Sequence, residues 1–166
     1  MKNIKNVLAV IIIVTAGLFS NAQMAHINSD ELVAAMPATK AMGDNLKLIS
    51  QNYDTEYKAQ ALALQAKYKK YGEEAGTKTD AENQTRQAEL TEEGKKLQLY
   101  AGEARQDLQE KELEFLKPII ERAQKAIQDV AKEKGIKYVL DSASGKGLIV
   151  FEGEDLLPAV KAKLGI

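Results

Sequence analysis

The chain has no cysteine, no tryptophan, one histidine and three prolines in 166 residues. Without cysteine there is no disulfide staple, thiol nucleophile, thiolate metal site or lipid-modified thiol. His26 alone cannot build a histidine-based metal cluster or orient a triad, and it reads as a strand residue. A basic excess is also missing: 23 Lys and Arg meet 24 Asp and Glu, whereas a nucleic-acid binder carries clustered positive charge. Aromatics make up only 5% of the chain, which leaves little material for a large core. The adjacent carboxylates Glu73-Glu74 and Glu92-Glu93 would diverge by about 100° on a helix, so they read as solvated faces. Gly145-Lys146-Gly147 has turn composition, with no strand-to-helix context for a phosphate loop. No catalytic residue, cofactor site, metal site or nucleic-acid partner is expected.

The N-terminus has the order of a secretory signal peptide. Lys2 and Lys5 precede the apolar run Val7–Phe19, and Ser20-Asn21-Ala22 follows with small residues at a cleavage triplet. The run falls short of the roughly 20 residues needed to span a bilayer. Residues 1–22 are therefore expected to be removed after Ala22, leaving an exported protein with no stable membrane insertion. Loss of Lys2 and Lys5 leaves 21 basic against 24 acidic residues, a net charge of −3.

Three zones follow. Met24–Asn28 reads as a strand, and Ser29 or Asp30 can cap a short helix over Glu31–Met36 that Pro37 ends. From Ala38 to Ala75, apolar residues recur at Met42, Leu46, Ile49, Tyr53, Tyr57, Ala61, Leu64, Tyr68 and Tyr71, a mean step of about 3.6 residues that marks one helical stripe. Gly76 suits a C-cap and Thr79 or Asp80 an N-cap. A second helix is predicted over Asp80–Lys134, with Leu90, Leu97, Ala101, Ala104 and Leu108 on its stripe. Gly94 and Gly102 weaken it by about 1 kcal/mol each. Helices joined by so short a turn run antiparallel, giving an arm with a loosely held distal end. Pro118 should kink or restart the second helix. Gly135 ends it, and Ile136–Asp141 with Gly147–Glu152 reads as a β-hairpin around Ser142–Lys146. Glu154 or Asp155 opens a last helix, Leu156–Leu164, in which Pro158 falls within the first turn.

The predicted class is α+β. A small β-rich body (residues 23–37 and 118–166) carries a long antiparallel helical hairpin (residues 38–117) with its tip near 76–80. The body has 64 residues, below the roughly 70–80 at which one core usually suffices without a staple, so self-association is expected. Candidate oligomerisation residues are Ile27, Ile119, Ile120, Ile127, Val130, Val139, Leu140, Leu148 and Val150. On the arm, Tyr53, Tyr57, Leu64, Tyr68, Tyr71, Leu90, Leu97 and Tyr100 are candidates either for packing between the helices or for contact with a bound polypeptide, since tyrosine serves both uses.

The order of elements resembles the Skp (OmpH-like) family of periplasmic chaperones. The resemblance rests on Ile27–Leu32 followed by Pro37, on the two polar helices, and on Pro118–Ile127 continuing through Val130–Gly135 into Tyr138–Asp141. It implies a homotrimer whose chains share a β-barrel body. Three arms would enclose a cavity in which unfolded outer-membrane proteins are held without ATP. One feature departs from the strongly basic members of that family: Lys67–Lys96 carries seven basic and seven acidic side chains. A lipopolysaccharide-binding role is therefore not carried over. The rival reading is a periplasmic coiled-coil scaffold or spacer that binds one folded partner.

Overall fold

The computed structural model describes residues 24–166, and the signal peptide expected over 1–22 lies outside the described residues. The chain divides into two compact units: a body, whose described part is residues 24–35 with Arg122–Ile166, and an arm, Met36–Glu121. The family-like α+β class is what the chain adopts, with two long helices and one small sheet.

In the body, strand β1 (Met24–Ile27) leads into helix α1 (Ser29–Ala35), and strands β2 (Tyr138–Asp141) and β3 (Glu154–Asp155) precede the last helix. The sheet order is β2-β1-β3, and both neighbours run parallel to β1. This corrects the expected hairpin: among the described residues 147–152 form no strand, and β2 pairs with β1. Turn chemistry in Ser142–Lys146 gives no sign of a strand more than 110 residues earlier that takes the central place. That strand wins by burial and by polar ties. Ala25 and Ile27 point into the core. The Asp141 carboxylate accepts bonds from the Ser29 hydroxyl (2.6 Å), the Ser29 amide (3.2 Å) and the Ala143 amide (3.0 Å). Gly145 and Gly147, with φ of 81° and 87°, let the chain cross from one sheet edge to the other.

Asn28, one residue ahead of the predicted caps, accepts the Glu31 amide through Oδ1 at 2.9 Å. Asp155 accepts the Leu157 amide at 2.9 Å and opens the last helix (Leu157–Leu164), which Gly165 ends in a left-handed conformation. Leu32, Leu156 and Val160 are the fully buried centre of the body, surrounded by Ile27, Ala126 and Val130.

The arm is built from helix α2 (Pro37–Glu74), a 3₁₀ turn (Ala75–Thr77) and the greater part of helix α3 (Asp80–Glu133). With 38 residues, α2 is about 57 Å long. The turn closes without the expected Gly76 cap: Ala75 takes the C-cap position in right-handed conformation, and the Asn83 amide bonds its carbonyl at 3.0 Å. Thr79 and Glu82 form a reciprocal capping box at the start of α3. Helix α3 also passes through Pro118 as one element, which corrects the expected restart. Proline leaves one carbonyl unbonded, that of Glu114, and both residues are exposed, so water can satisfy it.

Candidate functional site

In the arm, the predicted stripe residues divide into two groups. Tyr53 donates its hydroxyl to Asp107 at 2.6 Å, Tyr100 to Glu56 at 2.9 Å and Tyr71 to Glu89 at 2.7 Å. Tyr53 and Tyr100 also meet edge to face, their centroids 6.0 Å apart. These three tyrosines join α2 to α3. Leu64 and Leu97 are half-buried and Leu90 is buried. Tyr57 and Tyr68, by contrast, stay exposed. The stripe is therefore an interhelical seam flanked by two free tyrosines.

Charge reinforces the seam near the turn. Lys67 bridges Glu89 at 2.8 Å and also Glu93. Arg86 pairs with Glu74 at 2.7 Å and lies over the Tyr71 ring, 4.4 Å from its centroid. The expected loosely held distal end is thus cross-tied by side chains from both helices. Lys67 and Tyr71 lower the Glu89 pKa by bonding its carboxylate, and Arg86 lowers that of Glu74 in the same way. The bond to Glu89 raises the Tyr71 pKa, and the bond to Asp107 raises that of Tyr53. Desolvation, then the bond to Glu56, pushes Tyr100 up to about 12. A shallow cleft of about 280 Å³ lies at the tip between Tyr68, Tyr71, Asn83, Arg86 and Leu90.

The arm also carries apolar residues that the stripe did not include: Leu48, Leu62, Leu99 and Leu113, each between 58% and 69% exposed. A search for one 3.6-residue stripe passes over them because they lie off it. Their only sequence signal is a spacing of 14 residues within each helix.

In the body, Ile27 and Val130 belong to its own core, and Ile127 and Val139 line a groove of about 700 Å³ with Ala131 and Ile136. Leu140 is exposed and Leu148 half-buried, while Ile149 and Val150 stand 92% and 77% exposed. Of the other two candidates, both in the arm unit, Ile119 is buried and Ile120 exposed. His26 packs beside Phe151, ring centroids 4.5 Å apart. Among the described residues no group of three or more His, Asp or Glu is placed to hold a metal ion, and no helix is long and apolar enough to cross a membrane.

A body of one small parallel sheet with a long two-helix arm is the fold of an OmpH-like outer membrane chaperone from Caulobacter crescentus. That structure matches with a TM-score of 0.76 at 20% identity, over 87% of this chain and 85% of that one. The family model "Outer membrane protein (OmpH-like)" matches residues 23–164. The chaperone protein Skp of Photorhabdus luminescens is 28% identical over 144 residues, which is 81% of this chain and 85% of the relative. The chain belongs to the OmpH-like family, a family of chaperones and not of enzymes.

Proposed function

We propose that the chain is a periplasmic holdase that works as a homotrimer. The bodies would associate, three arms would surround a cavity, and unfolded outer-membrane proteins would be held there without ATP until delivery. The observation that carries this reading is the construction of the arm. It is a long hairpin closed mainly by polar ties, so apolar side chains are left over on its surface. A folded-partner scaffold would need one contiguous apolar patch, whereas scattered groups suit weak contacts with many chains.

Self-association is supported by the body. Ile149 and Val150 are exposed beside a sheet with open edges, and an open groove runs along Ile127 and Val139. Exposed apolar chain beside an unpaired edge is a template for further strand pairing. Export, cleavage after Ala22 and residence in the periplasm belong to the same proposal, because such clients cross that compartment unfolded. The test uses the mature protein and a urea-unfolded outer-membrane β-barrel. Light scattering after dilution should stay low at one trimer per client, and the solution mass should be three times that of the chain. Full aggregation in its presence would remove the holdase reading, and a monomeric mass would remove the trimer.

A further inference from the structure

The four exposed leucines of the arm are not scattered. Leu48 and Leu62 lie 14 residues apart on α2, and so do Leu99 and Leu113 on α3. Fourteen residues is two heptads, so each pair keeps one position relative to the seam. The cross-helix ties Tyr53–Asp107, Glu56–Tyr100, Lys67–Glu89 and Glu74–Arg86 place residue i of α2 level with about residue 158 − i of α3. Leu48 is then level with Leu113, and Leu62 with Leu99, to within about 5 Å. The leucines form two rungs about 21 Å apart.

Both rungs lie on one face. At about 100° per residue, Leu48 and Leu62 are rotated about −140° from the seam residues Tyr53 and Lys67. Leu113 and Leu99 are rotated about −120° from Asp107 and Glu93. The two-fold relation of antiparallel helices turns an equal sense of rotation into the same side of the hairpin. Tyr57 and Tyr68 are rotated in the opposite sense and lie on the other side. Between the rungs the same heptad position holds Thr55 and Gln106. Thr55 bonds the Gln51 carbonyl at 2.8 Å and Gln106 bonds Glu110 at 2.8 Å, both within their own helix.

We propose that these two leucine rungs are the client-contact face of the arm, and that their ligand is an extended polypeptide with apolar residues six positions apart. The inference rests on the holdase reading and specifies its contact residues. At 3.3–3.4 Å per residue, six residues of extended chain span about 20 Å, and an even interval brings both apolar side chains to one side. The period-2 pattern of an unfolded barrel strand meets that condition. A second helix is a poor fit, because knobs-into-holes packing needs apolar residues at a and d in every heptad, and Thr55 and Gln106 interrupt them. A folded dimer is a poor fit as well. Four separated side chains fall far short of the roughly 1,200 Å² that a stable interface buries.

The experiment places p-benzoylphenylalanine singly at positions 48, 62, 99, 113, 57 and 68 of the full mature chain. Each variant is irradiated with a urea-diluted outer-membrane β-barrel protein. A parallel variant carries Leu48→Gln, Leu62→Gln, Leu99→Gln and Leu113→Gln, which keep helix propensity, and circular dichroism checks its helicity. Crosslinking at the leucine positions should exceed that at 57 and 68 at least fivefold, and the helical quadruple variant should need at least fivefold more protein to suppress aggregation. Loss of helicity in the quadruple variant would leave the decision to the single-site crosslinks. Crosslinks concentrated at 57 and 68, or a quadruple variant as protective as the parent, would overturn the inference while the holdase reading stands. A parent chain that does not protect would sink the holdase reading itself. Crosslinks between copies without client would assign the face to self-association and overturn the inference.

Discussion

Of the 15 buried apolar residues among those described, 11 lie in the body and four in the arm, although the arm has 86 residues and the described body 57. The body is held by removing Leu32, Leu156 and Val160 from water, with Asp141 fixing its strands. The arm is held along one seam by tyrosine–carboxylate bonds and ion pairs that stay largely exposed. Apolar burial is insensitive to salt and pH, whereas exposed ionic ties are screened and titrate. One chain therefore combines a body that should keep its form with an arm whose closure responds to conditions. A hairpin that spends its polar groups on the seam also keeps leucines free for other uses.

The largest test of that contrast compares truncations. Leu156→Ala should cost about 2–5 kcal/mol in chemical unfolding, because it empties a fully buried site. Leu64→Ala, at a half-buried seam position, should cost less than about 1.5 kcal/mol, since only part of its transfer energy is lost. Equal costs would break the distinction.

A smaller effect concerns acid. Glu74 and Glu89 have lowered folded pKa values, so their contribution is present at neutral pH and is lost as pH falls through and below the ordinary carboxylate range. Amide exchange in residues 67–93 should accelerate in that window, and at 1 M salt, while Leu32 and Val160 stay protected. Glu89→Gln should reproduce the loosening at neutral pH. Faster exchange in the body first would reverse the assignment.

The smallest effect is alkaline. Tyr100 is raised from 10.0 to about 12, so its contribution is complete below about pH 10 and is lost as pH rises toward 12. Ultraviolet titration should show one late-ionising tyrosine, and Tyr100→Phe should remove that step. Its persistence in the variant would place the perturbed hydroxyl elsewhere.

How legible the seam was depends on the residue. Tyr53, Tyr71 and Tyr100 could be placed as candidates because periodicity reports which side of a helix is special. Periodicity does not report whether a tyrosine hydroxyl finds a carboxylate on the partner, and Asp107, Glu56 and Glu89 are 54, 44 and 18 residues away. Leu48, Leu62, Leu99 and Leu113 were passed over, since an off-stripe leucine looks like ordinary helix former until the seam is located.

Local chemistry determined the helices, their antiparallel return, the Thr79 cap, the last helix and the neutral arm tip, because each depends on residues within a few turns. Tertiary structure alone decided the parallel sheet with β1 at its centre, the passage of α3 through Pro118 and the charge-tied tip. Each of these depends on burial or on partners distant along the chain, and local periodicity carries no information about either.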